Sequence, residues 1–186
     1  MELDEEDKEL ITEDELRRAV MGNKNFAPGD DVLTYQVLRL LQKVPGNPLL
    51  QLYNVCDQHG YVPAAWTITT IIPIPKPGTD KYWSIPLNSC FSKAFERVLL
   101  TRLRYRLQEK FSPHFYGFLP QRSTHHSLSE LYSRLSYNNV VAFLDINFFY
   151  IANRDIILDQ LVKFGVRGNL LKLINGYPSN RNHVFS

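Results

Sequence analysis

The sequence predicts a fold of mixed helices and strands, α+β or α/β. Apolar residues recur at helical spacing in several segments, most clearly at Phe95, Leu99, Leu103 and Leu107, every fourth position. Two segments read as strands instead: "WTITTIIPIPKPG" at 66–78, rich in β-branched residues, and "VVAFLDI" at 140–146, apolar up to a single acid. Helices and strands are thus mixed along a chain of 186 residues, long enough for one domain with a real core.

Residues 1–11 form an acidic lead-in. "TEDE" at 12–15 is a capping-box pattern, Thr12 capping a helix start while Glu15 reaches back, and a helix follows to about residue 21. "NFAPGDD" at 25–31 is a loop, because Pro28 and Gly29 interrupt regular structure. Helices are expected at 34–44 and 48–59, separated by Pro45-Gly46. The 66–78 strand carries Pro73, Pro75 and Pro77, which makes it an edge strand or takes it out of the sheet early. A long helix runs from Ser92 to about Phe111, with Arg97, Arg102, Arg104, Arg106 and Lys110 around its apolar stripe. After the loop "SPHFYGFLPQRST" at 112–124 come a helix at 127–135, the 140–146 strand, and helices at 154–164 and 169–175 that Gly165 and Gly176 stop.

Composition excludes several classes. Apolar residues make up 44% and charged residues 22%, the balance of a folded globular chain. No apolar run approaches the ~20 residues that cross a bilayer, and the acidic N-terminus does not read as a signal peptide. Cys56 and Cys90 lack metal-ligand spacing and read as reduced core residues, which points to cytosol or nucleus. The net charge of +2 hides an asymmetry: residues 1–31 hold eleven acids against four Lys and Arg, and residues 32–186 hold seventeen Lys and Arg against eight acids. A basic body fits a polyanionic partner, though solvated cations explain many such surpluses.

Asp145 would share a strand face with Val141 and Phe143, in a strand whose two faces are both apolar, as in a central buried strand. A carboxylate ending such a strand is either a capping or loop-organising acid or a metal ligand at the mouth of the sheet, and the residues alone leave both open. The "GDD" at 29–31 imitates a polymerase signature but lies in a loop without apolar flanks, so Asp30 and Asp31 are not assigned to catalysis. His59, His114, His125, His126 and His183 form no ligand pattern.

Taken in order, "IPIPKPGTDKYWSIPLNSCFSKAFERVLLTRL", "FSPHFYGFLPQRST", "VVAFLDI" and "ANRDIILDQLVKFGVRGNLLKLI" resemble the reverse transcriptase of non-LTR (LINE-type, jockey-like) retrotransposons over roughly residues 12–186. The resemblance implies an RNA-directed DNA polymerase on a right-hand scaffold, an α+β fold of mixed helices with a small, incomplete antiparallel sheet, with a fingers-like region at 12–136 and a partial palm at 137–186. It implies an RNA template, a DNA primer and a dNTP as partners. It also implies two Mg²⁺ ions ~3.5–4 Å apart that join primer hydroxyl and α-phosphate. Asp145 matches the first metal-binding acid, assisted by the main-chain carbonyl of Ile146. Lys76 matches a lysine facing the triphosphate, Arg122 a basic residue of the next motif, and Phe149 or Tyr150 the aromatic beneath the incoming sugar. Lys76 also admits a plain surface reading, and the arginine-rich helix is either a phosphate track or a solvated face.

The sequence departs from the family pattern in several places. After Asp145 the segment is one residue short, and the small alanine and second acid of the motif are replaced by Phe and Tyr. Trp83 stands where a triphosphate-holding cation is expected, and Leu119 where an arginine is. Val32 replaces a usual glycine, a strained choice if that position needs positive φ. The paired aspartates of the palm hairpin are not present. The expectation is an RNA-directed DNA polymerase region that is catalytically incompetent as written, with a non-catalytic RNA or template-primer binding fragment, or a decayed remnant, as the alternatives.

Overall fold

Thr12 starts the first helix as its sequence demands: its hydroxyl accepts from the Glu15 amide while the Glu15 carboxylate accepts from the Thr12 amide. The computed structural model describes residues 9–22, 26–144, 153–179 and 182–185. They form α1 (Glu13–Met21), α2 (Tyr35–Leu41), α3 (Pro48–His59), a 3₁₀ turn (Ala64–Trp66), β1 (Ile68–Pro75), β2 (Tyr82–Asn88), α4 (Cys90–Leu107), α5 (Thr124–Arg134), α6 (Arg154–Lys163), α7 (Gly168–Ser179) and β3 (Asn182–Phe185). The class is α+β.

The helices share one core. Leu16, Ala19 and Val20 of α1 pack with α4, whose Phe95, Leu99 and Leu107 are buried on the expected stripe and whose Leu103 packs against its margin. Tyr53, Trp66 and Phe95 form an aromatic centre, with ring centroids 4.9–5.7 Å apart. The Tyr53 hydroxyl donates to the Phe91 carbonyl at 2.7 Å, so its polar end is satisfied inside the core. Cys56 and Cys90 are both free and buried, and burial pushes both thiols up. Val166, Leu170 and Leu173 bring the α6–α7 unit onto the same core, and Asn169 of α7 donates to the Gln58 carbonyl at the end of α3 at 2.7 Å.

The sheet has the order β2-β1-β3, an antiparallel hairpin to which β3 adds in parallel. Among the described residues β1 is therefore the middle strand over Ile68–Ile71 and an edge beyond it, because the pairing with β3 ends at Ile71. Its prolines follow that division. Lys76 donates its amide to the Lys81 carbonyl at 2.8 Å, which sets the even-numbered residues of β1 as the ones bonded to β2. Pro73 and Pro75 are odd-numbered and lie past the β3 pairing, where no ladder donor is required. At the hairpin base the Thr69 hydroxyl donates to the Asn88 side chain at 2.8 Å in a buried cross-strand pair, and the hairpin tip stands in solvent.

Two expectations are corrected. Residues 140–144 do not form a buried central strand: they lie in no regular element, and Val140, Phe143 and Leu144 are exposed. A central strand needs hydrogen-bonding partners on both edges, and among the described residues the sheet contains only β2, β1 and β3, none of which pairs with 140–144. Gly176 does not stop a helix, since α7 continues to Ser179, whereas Gly165 does end α6, with φ of 90°. Among the described residues no helix is long and apolar enough to cross a membrane.

Candidate functional site

The β1–β2 hairpin presents the first candidate residue. Gly78, with φ of 73°, allows the turn, and the Thr79 amide closes it onto the Lys76 carbonyl at 3.3 Å. Ile72, Ile74 and Lys76 fall on one face of β1, opposite Ile85 and Trp83 of β2. The Lys76 ammonium lies 5.8 Å from the Trp83 ring centroid, so the indole that replaces the expected cation holds the remaining one by its π face. Ile72, Ile74, Trp83 and Ile85 are all exposed, a hydrophobic platform with Lys76 at its end.

Arg122 has a different setting. Its Nη1 donates toward the carbonyls of Ser112, Pro113 and Phe115 at 3.2, 2.9 and 2.7 Å, and its guanidinium lies 6.0 Å from the Tyr116 ring centroid. It gathers the α4–α5 loop around itself. Tyr116 in turn donates its hydroxyl to Glu130 of α5, which also pairs with His114 at 2.6 Å and with Arg134. The hydrogen bond from Tyr116 holds the Glu130 carboxyl below its ordinary range and pushes the phenol up. His126 serves as the third residue of a capping box on Ser123, a role usually filled by Glu or Gln.

Asp30 and Asp31 act as loop anchors. Asp30 accepts from the Thr70 hydroxyl, and Asp31 accepts from the Ser89 hydroxyl and from the Leu33 amide. Gly29 makes that closeness possible: a Cβ there would lie 2.7 Å from the Ser89 amide nitrogen. Val32 has φ of 55° and an exposed side chain.

In the arginine-rich helix, Arg102 is neither a phosphate track nor a solvated cation. It is half-buried and bonded to Glu15, to Asp57 and to the carbonyls of Glu9 and Leu10. Burial pushes the Glu15 carboxyl up, but hydrogen bonds from Arg102 and Thr12 outweigh it and leave the group below its ordinary value. The sequence signal for this network was the capping box itself, which fixes where Glu15 points; nothing in the spacing tied it to a residue so far along the chain.

Asp145, Ile146, Phe149 and Tyr150 lie outside the described residues. Among the described residues no group of three or more His, Cys, Asp or Glu side chains is placed to hold a metal ion.

An α+β chain with a projecting hairpin and an excess of cations is consistent with part of a nucleic-acid polymerase, and comparison with known proteins finds a reverse-transcriptase-like region in it. The RNA-directed DNA polymerase from mobile element jockey of Drosophila melanogaster is 34% identical over 104 residues, 53% of this chain. The match covers 10% of that protein, so this chain corresponds to a small part of its relative. No family model matches the chain.

Proposed function

We propose that this chain is the fingers and the beginning of the palm of a non-LTR retrotransposon RNA-directed DNA polymerase, and that it grips an RNA template and DNA primer without performing catalysis by itself. The 34% identity to the jockey polymerase carries the reading. The basic balance of residues 32–186 and the exposed hairpin bearing Lys76 support it. In this reading Lys76 faces the dNTP triphosphate, Arg122 shapes the adjoining loop, and Phe149 or Tyr150 lies beneath the sugar. Asp145 and the Ile146 carbonyl contribute to Mg²⁺ binding. The acids after Asp145 are Asp155 and Asp159, both on α6, and one carboxylate does not hold two cations at the spacing phosphoryl transfer requires.

Template-primed dNTP incorporation with Mg²⁺ tests the catalytic half: residues 1–186 alone are expected to incorporate nothing, and incorporation that vanished in Asp145→Ala would overturn that. Titration with a labelled RNA–DNA template-primer tests the binding half. Affinity should fall steeply as salt rises, since each neutralised phosphate releases counterions. A salt-independent affinity, or none, would remove the nucleic-acid role.

A further inference from the structure

Phe118 is 93% exposed and has φ of 59°. Each property is unfavourable for phenylalanine: left-handed backbone crowds Cβ against the carbonyl, and a bare ring leaves apolar surface in water. The loop around it is fastened from several sides and relieves neither. Arg104 Nη2 of α4 donates to the Phe118 carbonyl at 3.2 Å, Arg122 gathers the carbonyls upstream, and Tyr116 is bonded to Glu130 of α5. Gln121, with φ of 61°, tightens the same turn. The sequence around it is cationic: residues 104–123 hold four Lys and Arg (Arg104, Arg106, Lys110, Arg122) against one acid, Glu109, and Glu130 of α5, which meets the loop at Tyr116, is itself paired with Arg134.

We propose that Phe118 is a stacking platform for an unpaired base of single-stranded RNA, drawn in by the cations around its loop. The inference rests on the nucleic-acid reading above and adds a residue and a strand type to it. A projecting ring needs a base with an open face, which a paired duplex does not offer, and stacking of bases on aromatic side chains beside a basic surface is how single strands are held. The cationic setting favours this occupant over the apolar pocket of another protein.

The test uses the whole 186-residue chain and a fluorescein-labelled, unstructured oligouridine of about 12 nucleotides, within the site sizes usual for single-strand binders. Phe118→Ala should weaken binding by about fivefold to a hundredfold and leave the slope of affinity against salt unchanged, because no charge is lost. Phe118→Trp should keep the affinity, and the introduced indole should be quenched as RNA binds. Lys110→Ala should lower the salt slope and keep that quenching. Matching circular dichroism and thermal melting of wild type and Phe118→Ala establish that the fold is kept. Unchanged affinity in Phe118→Ala with no quenching in Phe118→Trp overturns the inference while salt-dependent binding still supports the broader reading. Absence of RNA binding by the wild type overturns both. A loss of self-association in Phe118→Ala at unchanged RNA affinity would assign the ring to a protein contact and overturn the inference too.

Discussion

Arg102 and Glu15 meet at two points, Nε to Oε1 at 2.7 Å and Nη2 to Oε2 at 3.0 Å. The pair fastens the middle of α4 to the first turn of α1, and Asp57 of α3 joins through Nη1 at 3.2 Å. Because Glu15 also closes the capping box on Thr12, one carboxylate both starts a helix and docks it.

Removing the guanidinium takes the cation away from two largely buried carboxylates. Arg102→Ala is expected to lower stability by about 3 kcal/mol, the cost of breaking a largely buried pair from one side. Arg102→Lys should recover only part of this, since an ammonium cannot make the two parallel bonds. Urea denaturation of the three proteins gives the comparison.

The same pair predicts an acid limb. The folded state holds the Glu15 carboxyl below its unfolded value of 4.5. Between the two values the unfolded chain binds more protons, so stability rises with pH there. The contribution is complete above the unfolded value and disappears as pH falls through the folded one. Glu15→Gln should flatten this dependence below about pH 4.5, measured as thermal midpoint against pH.

Gly29 and Val32 should respond to substitution in opposite directions, although they share a loop. A Cβ at Gly29 would press on the main chain of Asn88 and Ser89, so Gly29→Ala should cost about 1–3 kcal/mol. Val32 carries a β-branched side chain at positive φ with its surface in water, and Val32→Gly should stabilise by about 0.5–1 kcal/mol. Thermal melting of the two variants decides the signs.

Asp31→Ala should cost about 1–3 kcal/mol, because the Leu33 amide and the Ser89 hydroxyl lose their acceptor. Affinity for nucleic acid should not change. A variant of native stability would show that the "GDD" loop is not an anchor.

Much of the helical framework was legible because local signals agreed. The Thr12–Glu15 pattern, the stripe through Phe95, Leu99 and Leu107, and the Pro45-Gly46 break each describe a neighbourhood that the fold keeps. β2 went unread for a physical reason: Tyr82 to Pro86 are exposed on both faces, so no alternation of apolar and polar residues marks the strand. Residues 140–144 failed in the opposite way, since five apolar residues imply burial only where partners exist to bury them. At Val32 the departure from glycine did disclose a positive φ. The structural setting of Lys76 was only half legible: the strand at 66–78 was foreseen, but not the β2 partner that brings Trp83 to its ammonium. The settings of Arg122 and Phe118 were not legible, because they depend on contacts with α4, α5 and the loop between them.

The parallel register of Ile68 with Asn182 has a temporal consequence. A ribosome adding roughly 5–20 residues per second finishes β1 several seconds or more before it makes the segment that lies along β1's second edge. Through that interval the nascent chain displays an unpaired row of amides and carbonyls, open to any extended peptide nearby. Cotranslational escort by a chaperone would matter most in that window, and slowing elongation past β1 should lower the soluble yield.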